Sequence, residues 1–467
     1  MSAFQDRVRE AVQNDHLHVA IERATSALKG RRQVALDSIP DFEQVRDFGR
    51  AVKLATIARL DEHLVRFEEK LLQNGFQVHW AEDGEQARQI VLDIARRRDA
   101  KSVVKAKSMA TEEIHLNAAL EEAGLDVLET DLGEYIAQLA GQPPSHIILP
   151  ILHMTREDVG QVLHDRLGVP LTDDPQVMAK TARETLRAKF LEADLGITGA
   201  NFGVVEEGAI CLVSNEGNIR LTTSLPKVHV AIMGIEKLVP TLSDLEKMLR
   251  LLARSATGQK LTAYTSLVRG PKRSPEDEGP EEVHLILLDN GRSKILAGDQ
   301  AEILACIRCG ACLNICPVYK QIGGHAYGDT YPGPIGSIVT PGIRGLKTTS
   351  ELPQASSLCG ACRDICPVRL DIPRMLLSLR RESQTEAPPS LFWRMSMRAF
   401  AFFATRPAWY RTVRPIGRFV MRRLASEGWL SSGLGPLGAW TKERDFQAPA
   451  RRSFQEEWRA RQKEAGR

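Results

Sequence analysis

The sequence predicts an α/β protein: a parallel sheet flanked by helices, then a smaller cysteine-bearing domain, then a helical tail. Three observations carry this prediction. Between residues 76 and 150, strand-like and helix-like patterns alternate, as they do in a parallel sheet with crossover helices. Between Ala193 and Gly234, glycines at 196, 199, 203, 208 and 217 punctuate short β-rich runs. Beyond residue 300, seven of the eight cysteines fall in two short runs. A chain of 467 residues exceeds one core and implies two to three domains.

Bulk properties exclude several classes. With 43% hydrophobic and 26% charged residues, the composition is that of an ordinary globular protein. No stretch of about 18 apolar residues occurs, so no membrane span is expected. The start, Met1-Ser-Ala-Phe-Gln-Asp-Arg7, lacks the apolar core of a signal peptide. Closely spaced cysteines in such a chain read as metal ligands rather than disulfides, and the expected compartment is the cytoplasm.

Residues 1–64 read as a helical region, with apolar spacings such as Val8, Val12 and Val19, then Val45, Phe48 and Val52. The segment Arg59–Gln73 is an amphipathic helix stopped at Gly75. This region is expected to cap the domain that follows. The alternation then gives strands at Phe76–Trp80, Ser102–Ala106 and Asp126–Glu129, with helices at Glu85–Arg97 and Thr111–Ala123. Ser145–Pro150 is a short apolar run. Val204–Val205 and Ala209–Ser214 read as paired strands, and Val228–Met233 and Glu282–Leu288 as buried ones. Such sheets bind ligands at the carboxyl ends of their strands.

Lys107, Ser108, Asn201, Asn215, Asn218, Arg220 and Thr222–Ser224 are candidates to line an anion or substrate cleft there, although the same residues suit simple turn chemistry. Glu206 and Glu207 stand beside Gly208 in a turn, where a solvated carboxylate is the ordinary outcome and a nucleophile the unusual one. Cys211 lies in an apolar strand and reads as a structural thiol. Gly196-Ile-Thr-Gly199 makes no nucleotide-binding fingerprint, so no cofactor-binding residue is assigned, and no catalytic residue either.

The first cysteine run is Cys306-Ile-Arg-Cys309-Gly-Ala-Cys312-Leu-Asn-Ile-Cys316-Pro317, the spacing that wraps a cubane iron–sulfur cluster. The second is Cys359-Gly-Ala-Cys362-Arg-Asp-Ile-Cys366-Pro367. In this pattern the fourth cysteine of a run ligates the other cluster. Cluster 1 therefore takes Cys306, Cys309, Cys312 and Cys366, and cluster 2 takes Cys316, Cys359 and Cys362. A four-cysteine zinc site competes with this reading, but zinc does not need the crossover spacing. Position 356, where a full second run would carry a cysteine, is Ser. Cluster 2 is then a 3Fe–4S centre, or a cubane completed by Ser356, by His325 or by a partner, or one with an open iron. The sequence does not choose among these.

Two resemblances rest on these residues. The segment Ala193–Gly234, with Lys107-Ser108-Met109 upstream and Thr265–Pro271 downstream, resembles the LUD (lactate utilization) domain over about residues 65–299. That resemblance implies a sheet like that of sugar isomerases and CoA transferases. Residues 300–385, with helical candidates at Gln300–Cys306 and Ile372–Ser383 around a Gly/Pro-rich spacer, resemble the alpha-helical ferredoxin module of respiratory dehydrogenases. Together with the tail, the order is similar to the lactate utilization protein B family. It implies an iron–sulfur electron-transfer subunit of a complex oxidising L-lactate to pyruvate, with other subunits of that complex as partners. The alternative is a self-contained iron–sulfur enzyme binding a small carboxylate or CoA ester in the cleft.

The tail, residues 386–467, opens on the hinge Glu386-Ala-Pro-Pro389 and holds five of the six tryptophans, Trp393, Trp409, Trp429, Trp440 and Trp458. From Ser390 onward, Arg and Lys outnumber Asp and Glu more than two to one. Ser390–Ala404 reads as an amphipathic helix. Docking on a partner subunit and peripheral contact with a quinone-bearing inner membrane surface are the two expectations. Nucleic-acid binding is not expected, because no recognition motif accompanies the charge.

Overall fold

The computed structural model describes residues 2–431, 438, 441 and 444–466. The chain divides into two compact units, Met1–Ala387 and Pro388–Arg467.

The core of the first unit is a parallel six-stranded sheet. Its strands are β1 (Gln77–Ala81), β2 (Ser102–Lys105), β3 (Asp126–Glu129), β4 (Leu195–Gly199), β7 (Val228–Gly234) and β10 (Glu282–Leu288), in the order β1-β10-β7-β4-β2-β3. Every pairing is parallel, and β7 is buried along its whole length. Strands buried on both faces read as continuous apolar runs, which is why Val228–Met233 and Glu282–Leu288 are plain in the sequence. One face of the sheet, with Val103, Ile197, Val230 and Ile286, packs on the helix Gly84–Arg97. The other, with Met233, Val283 and Leu285, packs on Leu64, Phe67 and Leu71.

A smaller sheet, β8-β5-β6-β9, joins β5 (Phe202–Val204), β6 (Ala209–Ser214), β8 (Leu238–Val239) and β9 (Tyr264–Val268). The expected pair appears as antiparallel β5 and β6, with Phe202 opposite Cys211 and Val204 opposite Ala209.

The structure differs from the pattern in four places. The helix expected over Thr111–Ala123 is broken into Met109–Glu113 and Leu116–Glu122 by His115, whose φ is 52°. Ser145–Pro150 is a closed loop, with the Ser145 amide donating to the Pro150 carbonyl at 2.8 Å. Gln300–Cys306 is a 3₁₀ turn over Ala301–Ala305 rather than an α-helix. The Gly/Pro-rich spacer contains a helix, Gly333–Arg344, buried from Gly333 to Pro341.

The N-terminal region comprises α1 (Ala3–Val12), α2 (Asp15–Asp37), α3 (Phe42–Ala58) and α4 (Leu60–Gln73). It packs on the cysteine module as well as on the sheet domain. On α3, Arg46 donates to the Cys366 and Asp364 carbonyls at 2.7 Å each, and Arg50 to the Arg369 carbonyl. Lys53 donates to the Glu236 carbonyl at 2.6 Å and the Leu238 carbonyl at 3.1 Å. Positions 46, 50 and 53 share one helix face, so one row of cations serves both domains.

The second unit pairs the helices Leu391–Ala404, capped by Ser390, and Pro407–Leu424. Phe402, Phe403 and Trp409 pack edge-to-face or tilted, with centroids 5.5–6.2 Å apart. A third helix, Phe454–Ala465, is tied to the second by Arg418 and Glu456 at 2.8 Å. No side chain of these three helices is buried. Trp440 lies outside the described residues. No helix among the described residues is long and apolar enough to cross a membrane.

Two features of the sheet domain give tests. Gly196 in β4 stands so close to the next layer that a Cβ would lie 2.0 Å from the Thr222 carbonyl oxygen. Backbone cannot yield as a side chain can, so Gly196→Ala is expected to cost about 1–3 kcal/mol, read as a lowered denaturation midpoint. Lys105, at the end of β2, is fully buried and binds Glu129 at 2.7 Å, Glu112 at 2.9 Å and Thr111 at 3.0 Å. Beside them, burial and the Glu129 charge push Glu134 up to about 8 from 4.5. A carboxyl raised on folding lowers stability as pH climbs from its unfolded value through its folded one. Glu134→Gln is therefore expected to be more stable than wild type at about pH 9 and to lose that advantage toward about pH 5, in paired urea titrations.

Candidate metal centre

The two cysteine runs fold alike. In the first, Arg308 has φ 57° and Gly310 φ 71°, and the helix Ala311–Ile315 follows. In the second, Leu358 has φ 55° and Gly360 φ 87°, and the helix Ala361–Ile365 follows. Left-handed backbone at a non-glycine residue is costly and persists only where surroundings impose it. The loop it makes turns N–H groups toward side-chain acceptors. The Arg308 amide donates to Cys306 Sγ at 3.3 Å, and the Leu358 amide donates to Ser356 Oγ at 3.2 Å. Ser356 thus holds the local position in the second run that Cys306 holds in the first. His325 lies elsewhere: its Nε2 is 2.8 Å from the Pro143 carbonyl, and its ring packs on His153 at 4.5 Å.

All eight cysteines are free thiols. Burial pushes Cys309 up, and Cys366 and Cys306 add to it. Cys312 is raised by burial, then by Cys309 and Cys306, and also by Cys362 and Cys366. Burial pushes Cys366 up to about 11, with Cys306 contributing. Cys362, up to about 12, responds after burial to Cys316 and Cys359, and Cys316 responds to Cys359. The thiols thus fall into two adjoining neighbourhoods, with Cys312 also feeling Cys362 across them. One holds Cys306, Cys309, Cys312 and Cys366; the other holds Cys316, Cys359 and Cys362. Buried thiols that destabilise one another's ionised forms fit a polynuclear metal group, whose positive charge deprotonates its ligands. Amides aimed at sulfur fit it too: Tyr319 donates to Cys316 Sγ at 3.5 Å and Leu370 to Cys366 Sγ at 3.4 Å. Cys359 is the one cysteine of the two runs that is exposed.

The sheet domain supports this module. In the loop Ser145–Pro150, His146 Nδ1 accepts from the Ile148 and Leu149 amides at 3.0 and 3.1 Å, which leaves Nε2–H to donate to Asn314 Oδ1 at 3.2 Å. Burial pushes His146 down to about 3, so the ring is neutral. The Tyr319 hydroxyl donates to the Ser145 carbonyl at 2.8 Å.

A cavity of about 300 Å³ lies where the sheet domain meets the first cysteine run. Lys107 and Ser108 follow β2, Asn201 follows β4 and Lys237 follows β7, so the cavity sits at the carboxyl ends of the central strands. The chain runs from β2 outward to β3, then returns to the other side of β2 as β4. Ligand crevices of parallel sheets form at such a reversal. Of the cleft candidates, Lys107, Ser108, Asn201, Asn215 and Asn218 line the cavity. Arg220 lies instead over the Tyr264 ring at 5.6 Å. Thr222, Thr223 and Ser224 bond their own helix backbone, which is turn chemistry.

Residues the sequence did not single out complete the cavity wall. Arg292 binds Glu113 through two nitrogens at 2.8 and 2.9 Å and Glu236 at 2.7 Å. Burial alone would raise Glu236; Arg292 and Arg308 hold it down to about 2. Burial lowers Lys237 to about 8. Arg308 alone had a local signal, since it sits inside the first run.

Glu206 is exposed and Glu207 pairs with Arg269 at 3.1 Å, away from the cavity. Cys211 is buried, and burial pushes its thiol up to about 12. Glu112, Glu129 and Glu134 stand close enough to share a cation, and Lys105 already supplies it.

Comparisons with known proteins follow this layout. Residues 64–288 match the LUD domain, 302–370 a 4Fe-4S dicluster domain, and 381–463 the C-terminal region of lactate utilisation protein B. The cysteine module is thus an iron–sulfur domain. Lactate utilization protein B of Bacillus pumilus is 44% identical over 466 residues, covering 99% of this chain and 98% of its own. The Bacillus cereus strain AH820 and Bacillus thuringiensis proteins of that name are each 43% identical over the same coverage. A solved DUF162 family protein from Deinococcus radiodurans aligns over 49% of this chain and 98% of its own, at 15% identity and a TM-score of 0.28, too distant to bear on the fold. Full-length identity to these relatives, with all three regions matched in order, places the chain in the lactate utilization protein B family.

Proposed function

We propose that this chain is the iron–sulfur electron-transfer subunit of a complex that oxidises L-lactate to pyruvate. The observation that carries the reading is the pair of thiol neighbourhoods, each drawn from both cysteine runs and packed in one module. Two clusters bound by these residues would share both runs, and would supply adjacent one-electron centres. We assign Cys306, Cys309, Cys312 and Cys366 to cluster 1, and Cys316, Cys359 and Cys362 to cluster 2. Ser356 is the fourth ligand of cluster 2 in this reading. The Leu358 amide at its hydroxyl, matching the Arg308 amide at Cys306, supports it, and the bond of His325 to Pro143 argues against the histidine. The clusters supply one-electron storage. The chain supplies their ligands, amides aimed at sulfur, and burial.

The exposed Cys359 makes cluster 2 the outlet toward a partner. The Trp- and Arg-bearing helices Leu391–Ala404 and Pro407–Leu424, with no buried side chain of their own, suit docking on a partner subunit, where such residues anchor interfaces. The acceptor is then reached through the partner, a membrane quinone being one candidate, and the chain works at the cytoplasmic side.

Anaerobically purified chain, with and without its partner subunits, tests the function. L-lactate should reduce the clusters, seen by EPR, only when the partners are present; dye reduction by lactate with this chain alone would favour a self-contained enzyme. Cys366→Ser is expected to abolish or alter the EPR signal of cluster 1 and spare cluster 2, and selective loss of cluster 2 would refute the crossover. Ser356→Ala should convert cluster 2 to a 3Fe–4S centre, lowering iron from about eight to about seven per chain. Ser356→Cys should keep about eight iron and shift the cluster 2 potential. An unchanged cluster 2 in Ser356→Ala would remove Ser356 from the ligand set.

A further inference from the structure

Arg308 occupies an unusual place. It lies between two cysteines of the first run, is 7% exposed, and its Nη1 has no hydrogen-bond partner among the described residues. Its guanidinium lies over the Tyr331 ring at 4.9 Å, and its Nη2 is 3.6 Å from Glu236, longer than a hydrogen bond. A buried donor left unpaired is costly. Arg308 lines the 300 Å³ cavity, not the space between the thiols alone.

The same wall carries a second cation, on a half-buried side chain. Lys237 lines the cavity, and no hydrogen bond or ion pair to its amine occurs among the described residues. The neighbouring Arg292, by contrast, is saturated by Glu113 and Glu236. Arg292, Arg308 and Lys237 bring three positive charges to this wall, and Glu113 and Glu236 two negative ones. Lys53 adds a fourth cation beside Glu236, so cations outnumber carboxylates at this wall, and Cys306 also acts on Arg308. Asp131 and Glu216 also line the cavity and lie near Lys107, so the cavity has a cationic end at the cysteine run and an acidic end around Lys107. A group of high negative charge such as a phosphate dianion suits such a cavity poorly. A single carboxylate, taken by the planar fork of Arg308 and the point charge of Lys237, suits it.

We infer that the cavity is a binding site for a small monocarboxylate, held at one end by Arg308 and Lys237 next to cluster 1, with Asn201 and Ser108 as neutral lining. Its volume is at the lower edge of the range for small-molecule sites, about 300–1,000 Å³, and leaves ample room for a short acid. The choice of a lactate-like acid rests on the function proposed above; the existence of the site does not. The acid is bound here without any electron step being required of it.

Calorimetry on the anaerobic holoprotein tests this, with L-lactate, pyruvate and inorganic phosphate as separate probes. The expected result is saturable one-to-one binding of L-lactate or pyruvate, and no saturation with phosphate. Lys237→Gln should weaken that binding about tenfold or more, as removal of a charged hydrogen bond does, at unchanged iron and sulfide content. Arg308→Lys, which keeps the charge but loses the fork, should weaken it as well and alter the EPR line shape of cluster 1 less than loss of a cysteine does. The inference is overturned if neither acid saturates at concentrations on the order of 10 mM, if Lys237→Gln leaves binding unchanged, or if phosphate binds as well as the acids. Lactate-driven cluster reduction with partners present, but without binding to this chain, would overturn this site and leave the electron-transfer reading standing. Binding without such reduction would do the reverse.

Discussion

One guanidinium joins the two halves of the first unit. Arg292 leaves the turn after β10 and meets Glu236 from the turn after β7 and Glu113 from the helix after β2. The cysteine module reaches the same carboxylates: Tyr331 donates to Glu113 at 2.7 Å, and Arg308 faces Glu236. All of these side chains are buried. A buried charge is tolerable only with its partners in place, so no member can move without exposing the rest to a large desolvation cost. The strand ends, the cavity and the first cysteine run are therefore fixed relative to one another by electrostatics, not by apolar packing alone.

The two thiol neighbourhoods have different surroundings. Around the first stand Arg32, Arg46, Lys53 and Arg308, and among its members Cys309 and Cys366 are buried. Around the second, Cys359 is exposed and a hydroxyl stands where a thiol would be. Ligand type, nearby charge and solvent access are the levers that set a cluster's potential. Cations near the first neighbourhood would favour the reduced, more negative state of a cluster held there. At the second, solvent access would set a different potential for a cluster held there.

What could be read from the sequence was what is local. The cysteine spacing encodes ligand geometry within a dozen residues, and the gap at Ser356 was visible because the two runs align. Val228–Met233 and Glu282–Leu288 were visible because strands buried on both faces carry no polar interruption. The cavity wall was only half visible. Lys107, Ser108 and Asn201 follow strands and could be suspected, but Lys237, Arg292 and Tyr331 meet only through tertiary folding. The helix Leu242–Ala256 carried a usable signal, a capping box of Thr241 and Asp244 ahead of Leu245, Met248 and Leu252. The helix Arg156–Leu167 gave less, since its buried positions are Val159, Gly160 and Leu163. His115 broke a helix that its neighbours favour, through a backbone conformation no periodicity records.

The cationic face of α3 sets an order of events. Arg46 emerges early in synthesis, yet the carbonyl it binds belongs to Cys366, 320 residues later. Contacts of such separation form late, because the intervening chain must first be ordered. Until then the Asp364 and Cys366 carbonyls lack these partners. The N-terminal helices are thus made first, yet the face that Arg46 closes over the second cysteine run is completed only after nearly four-fifths of the chain has been synthesised.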